Sequence, residues 1–86
     1  MATAREPVNR ALALKLIARR HEHSLSQRDL AAILSQPQSF VSKYETGERR
    51  LDLAEIHAIC RALGISTEQL ILDCLRASGE MTSEDR

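Results

Sequence analysis

Apolar residues recur along this chain at helical spacing, and short polar breaks separate the runs. Leu12, Leu16 and Arg20 fall four residues apart and share one face, while Lys15, Arg19 and Glu22 project elsewhere. That spacing predicts a first helix over 8–22. A second apolar set, Leu30, Ala31, Ile33 and Leu34, predicts a short helix ending near Leu34. Val41 and Tyr44, three apart, give the inward face of a third helix over 37–45. Leu53, Ile56, Ile59, Cys60 and Leu63 form a fourth stripe, and Leu70, Ile71, Cys74 and Leu75 a fifth that ends near Arg76. Residues 1–7 read as a flexible arm closing at Pro7, 8–77 as one domain, and 78–86 as a flexible acidic tail with Met81 as its one apolar residue.

The helix ends carry their own signals. Ser26 with Asp29 three residues later is a capping box, in which the serine oxygen takes an orphan N–H and the carboxylate returns a bond. Asp52 with Glu55 and Ser66 with Gln69 repeat the pattern. Pro37 suits the first position of a helix, where a missing N–H is no loss. Gly47 and Gly64 stand just past the third and fourth helices, where a left-handed residue is needed. Scarce Gly and Pro argue against a many-turned β fold, so the expected class is all-α.

Composition adds two points. With Phe40 and Tyr44 as the only aromatic residues, aliphatic side chains must build the core. Cys60 and Cys74 fall on apolar helical positions outside any Cys-x-x-Cys pattern, and so read as small buried hydrophobes. The formal net charge is zero, but its distribution is uneven. Residues 1–50 hold nine Lys and Arg against five Asp and Glu, a net of +4; residues 51–86 hold three against seven, a net of −4. A basic half of this kind suits a polyanionic partner. No apolar run approaches the ~20 residues that span a bilayer, and nothing resembles a signal peptide, so the expected location is the cytoplasm, associated with the nucleoid.

Helices two and three, joined by a three-residue turn, form a helix-turn-helix unit. The residue string through it is more specific than the spacing. Ser26-Gln27-Arg28-Asp29-Leu30-Ala31 leads to Gln38-Ser39-Phe40-Val41-Ser42-Lys43-Tyr44-Glu45-Thr46-Gly47, then to Arg49-Arg50 and the run Arg61-Ala62-Leu63-Gly64-Ile65-Ser66. Over residues 8–76 the chain resembles the Cro/repressor-type, or XRE, helix-turn-helix family. The resemblance implies a five-helix lambda-repressor-like domain with helix three in the major groove and helix two crossing above it. The outer face of helix three carries Gln38, Ser39, Ser42 and Lys43, whose side chains match base edges and phosphates. The resemblance further assigns DNA contacts to Gln27 at the start of helix two and to Thr46, Arg49 and Arg50 after helix three. It makes Arg20 and Glu45 a structural ion pair. Three positions depart from the family pattern: Ser35 stands where the turn usually has glycine, Pro37 replaces a Ser or Thr cap, and Phe40 replaces a small polar residue. Phe40 either packs on a thymine methyl or covers the neighbouring turn, and the sequence leaves both open.

These readings combine into a sequence-specific transcriptional regulator, a repressor acting as a homodimer on a palindromic operator in double-stranded DNA, with Leu70, Ile71 and Leu75 as the dimer surface. An antitoxin that neutralises a protein toxin and represses its own operon is the alternative from another class. An adaptor that kept the fold without the binding is a third, opposed by the polar face of helix three. No nucleophile motif, glycine-rich phosphate loop or metal-ligand spacing is present, so no enzymatic activity, metal or cofactor is expected. His21 and His23 point to different sides of a helix, and His57 is isolated.

Overall fold

The computed structural model describes residues 5–79, and within them five helices follow one another. They are α1 (Arg5–Glu22), α2 (Gln27–Ile33), α3 (Gln38–Thr46), α4 (Leu53–Leu63) and α5 (Thr67–Ala77). No strand occurs among the described residues. The fold is the expected all-α, five-helix arrangement. α1 packs against α5 and α3, α2 against α3, and α4 against α5. Among the described residues no helix is long and apolar enough to cross a membrane.

One core holds these helices. Leu12 and Leu16 of α1, Leu30 and Ala31 of α2, Phe40, Val41 and Tyr44 of α3, Ile59, Cys60 and Leu63 of α4, and Leu70 and Cys74 of α5 are all buried together. Arg20 completes the α1 stripe as a buried charged residue. Burial pushes the thiols of Cys60 and Cys74 above their ordinary range, as desolvation disfavours a thiolate. Both cysteines are therefore core residues.

The caps form where the residue types require. Ser26 Oγ accepts from the Asp29 N–H at 2.9 Å, and Asp29 Oδ2 accepts from the Ser26 N–H at 3.0 Å. Asp52 and Glu55 make the same reciprocal pair at 2.8 and 2.9 Å. The third box is half made: Ser66 Oγ accepts from the Gln69 N–H, but the Gln69 amide donates to Asp73. α4 ends at left-handed Gly64, with the Ile65 N–H reaching back to the Cys60 carbonyl. α1 and α2 end the same way with serine at the left-handed position. Ser24 has φ 56° and Ser35 φ 57°, closed by bonds from Leu25 to Arg20 and from Gln36 to Ala31.

Several boundaries and faces differ from expectation. α1 starts at Arg5, so residues 5–7 are helical rather than part of an arm. Pro7 lies inside the first turn, where its N–H would have had no helical partner. Residues 1–4, and all of the expected tail beyond Gly79 including Met81, lie outside the described residues. Pro37 precedes α3 instead of opening it: its ring sets φ at −69°, but ψ is extended at 155°. Ile33 and Leu53 are exposed rather than core, because one ends a seven-residue helix on its outer side and the other begins α4 before it meets α5. Leu70 is 5% exposed and belongs to the core, which removes it from the expected dimer surface. Ile71 stays exposed and Leu75 is half-buried.

Candidate nucleic-acid interface

α2 and α3 are joined by Leu34 to Pro37, and the close of this turn depends on left-handed Ser35. The N–H groups of Ser35 and Gln36 bond back to Ala32 and Ala31, which turns the chain sharply enough to lay α3 across α2. The position that the family fills with glycine thus keeps the glycine-like backbone with a serine side chain.

α3 has a clear inner and outer side. Phe40, Val41 and Tyr44 are buried, with the Phe40 and Tyr44 rings edge to face at 5.5 Å. The Phe40 residue is 8% exposed, and its ring packs under Arg49 of the following loop. Desolvation holds the Tyr44 phenol well above its ordinary pKa, so it is uncharged. On the outer side Gln38, Ser39, Lys43 and Thr46 are exposed and Ser42 is half-buried. The Thr46 hydroxyl donates back to the Lys43 carbonyl. Lys43 forms no ion pair with another described residue. Its ammonium is therefore available to a ligand.

A polar network fixes α3 from behind. Arg20 Nε donates to Glu45 Oε2 at 2.7 Å and its Nη2 to Oε1 at 3.0 Å, a two-pronged fork between α1 and α3. Its remaining amine donates to the Leu25 carbonyl at 2.7 Å, so the arginine also holds the loop that leads into α2. The hydrogen bonds to Glu45 raise the guanidinium pKa further and keep it charged. The expected ion pair is thus present and buried. The network extends further than the sequence indicated. Gln27 Nε2 donates to Glu45 Oε1 at 2.9 Å, and Gln27 Oε1 accepts from Gln38 Nε2 at 3.4 Å. Gln27 is thereby committed between two protein partners, and it connects the buried fork to the first residue of α3.

The loop after α3 begins at left-handed Gly47. Arg49 and Arg50 are both exposed, yet they are engaged differently. Arg49 donates to both oxygens of Glu55, at 3.0 and 2.7 Å, and its guanidinium lies 4.9 Å from the Phe40 ring centre. Arg50 meets Glu6 only loosely, at 3.7 Å. Glu55 was legible in the sequence as a cap, but nothing there signalled its second role as the partner of Arg49. Elsewhere His23 bonds the Leu63 carbonyl at the end of α4, and His57 within α4 bonds the Thr67 hydroxyl at the start of α5, each at 2.8 Å.

The comparisons with known proteins agree with this architecture. The Helix-turn-helix family profile matches residues 16–70. An XRE-family like protein from Pseudomonas syringae pv. tomato str. DC3000 is 38% identical, with 84% of this chain and 88% of that one covered and a TM-score of 0.78. The clp gene regulator ClgR from C. glutamicum shares the fold at 24% identity and a TM-score of 0.71, covering 88% of this chain and 95% of its own. A hypothetical transcription factor, NHTF from Neisseria, does so at 24% and 0.71, covering 83% of each chain. No curated protein matches the sequence. A profile that runs from the middle of α1 into the start of α5, a 38%-identical relative and a polar α3 face held by a buried fork lead to one conclusion: the chain belongs to the XRE-type helix-turn-helix family of DNA-binding regulators.

Proposed function

We propose that the protein is a sequence-specific transcriptional repressor that binds a palindromic operator as a homodimer and reads the major groove with α3. The observation that carries this reading is the outer row of α3. Gln38, Ser39, Ser42 and Lys43 turn away from a core that holds the opposite side of the same helix rigid. Gln38 and Lys43 are the base readers: a glutamine amide pairs with adenine, and a lysine donates to guanine. Ser39, Ser42, Thr46 and Arg50 contact phosphate or flanking base edges. Gln27 orients Gln38 through the bond between their amides. One such helix covers too little groove for tight binding, and a two-fold dimer reaches half-sites about 34 Å apart. Ile71 and Leu75 on the outer side of α5 supply the apolar part of that contact.

The test is selection of bound duplexes from a random library, followed by titration of the winner against salt. Log K falls with log salt at a slope of about −0.9 per neutralised phosphate. Gln38→Ala and Lys43→Ala each cost about 1–3 kcal/mol on the selected duplex and less on random DNA. A library that yields no enriched sequence would sink the reading, as would binding indifferent to salt.

A further inference from the structure

We infer that Arg49 is a positioning residue of the DNA-binding surface and not one of its phosphate ligands. The inference rests on the DNA-binding reading above and concerns the loop between α3 and α4. Arg49 has several partners despite its exposure. Nη1 donates to the Arg50 carbonyl and to Glu55 Oε1, both at 3.0 Å, and Nη2 donates to Glu55 Oε2 at 2.7 Å. The guanidinium also lies against the Phe40 ring of α3. Its backbone N–H donates to the Lys43 carbonyl at 3.2 Å, again on α3. One residue thus ties the recognition helix to the cap of α4, since Glu55 is also the residue that closes the Asp52 capping box.

The consequence is geometric. The bond to the Arg50 carbonyl sets the backbone from which Arg50 projects, and Arg50 has only a loose partner at 3.7 Å. Three of the five guanidinium N–H groups of Arg49 are taken by the carboxylate and the carbonyl, so turning its forked face to a phosphate would cost it those bonds and the aromatic contact. Arg50 reaches one by giving up a single long contact. The loop therefore presents one arginine to DNA and spends the other on holding it there.

The experiment uses the full chain and a duplex recovered from the random library by the parent protein. Arg49→Ala, Glu55→Gln and the double variant are titrated near physiological salt and then across a salt series, after circular dichroism confirms their helix content. Glutamine keeps the capping box, so Glu55→Gln removes the charge pairing without removing the cap. A positioning role predicts that all three variants lose affinity alike, by up to about fivefold, the worth of an exposed ion pair. It also predicts that the salt slope stays that of the parent. Arg50→Ala, in contrast, lowers the slope by about 0.9 per subunit. The inference is overturned if Arg49→Ala lowers the slope by that amount, or if Glu55→Gln tightens binding by releasing the arginine. A parent that binds no duplex removes the DNA-binding reading itself, and the inference with it.

Discussion

The molecule contains two arginine–glutamate forks of nearly the same geometry and different worth. Arg20 grips Glu45, and Arg49 grips Glu55; both are two-pronged, with shortest contacts of 2.7 Å. The first pair has side chains only 9% and 5% exposed, while the second pair's are 41% and 26% exposed. A carboxylate stranded in the first setting has no water to turn to, so its partner is required for stability. In the second setting water replaces either partner, and what the pair contributes is the shape of a loop. Distance alone would rank the two equally; surroundings separate them.

Four experiments act on this contrast. The largest effect is expected from Arg20→Ala, which leaves Glu45 buried with only Gln27 as a donor and should cost about 3 kcal/mol in urea unfolding. Replacing Arg20 and Glu45 together with apolar residues should recover part of that loss, and a double-mutant cycle should show strong coupling. Additive single effects would break the contrast at once. A smaller effect isolates the backbone from the fork. Ser35→Gly relieves a left-handed serine, worth about 1–2 kcal/mol, against the greater chain entropy of glycine, and should stabilise by about 0.5–1 kcal/mol. A loss of stability there would mean that the serine side chain contributes something the turn needs.

The third experiment uses acid. Hydrogen bonds from Arg49, and then from the Asp52 backbone, hold the Glu55 carboxyl below its ordinary pKa. A depressed folded-state pKa means stabilisation that is present above the unfolded carboxylate range and lost as pH falls through the lower folded value. Glu55→Gln should therefore lower stability slightly near pH 7, meet the parent's curve in acid, and so flatten the acid limb. An acid limb identical to the parent's would show that the exposed fork adds nothing to folding. The smallest effect is that of Arg49→Ala on unfolding. Its urea midpoint should stay close to the parent's, and any difference should fade as salt rises, since exposed pairs are screened. The Arg20→Ala deficit should persist at the same salt concentrations. A large, salt-resistant loss from Arg49→Ala would make the two forks equivalent.

Helix number, order and most ends were legible in the chain because their causes are local. Ser26 needs only Asp29 three residues on, Asp52 only Glu55, and Gly64 only its own freedom at positive φ. The α1 stripe was legible too, and Arg20 on it pointed inward by periodicity alone. The early start of α1 was missed because proline in a first turn looks the same in sequence as proline ahead of a helix.

The sequence by itself determined which segments are helical, where the polar face of α3 lies and which residues can cap, since each depends on neighbours within about one turn. Only the tertiary structure decided what stands opposite each side chain. It buried Phe40 under Arg49, drew Leu70 into the core and left Ile33 and Leu53 outside. It set Gln27 between Glu45 and Gln38, and gave Arg49 to Glu55 across the loop. Those partners depend on how the helices meet in space, and helical periodicity says which way a residue faces without saying what it will find there.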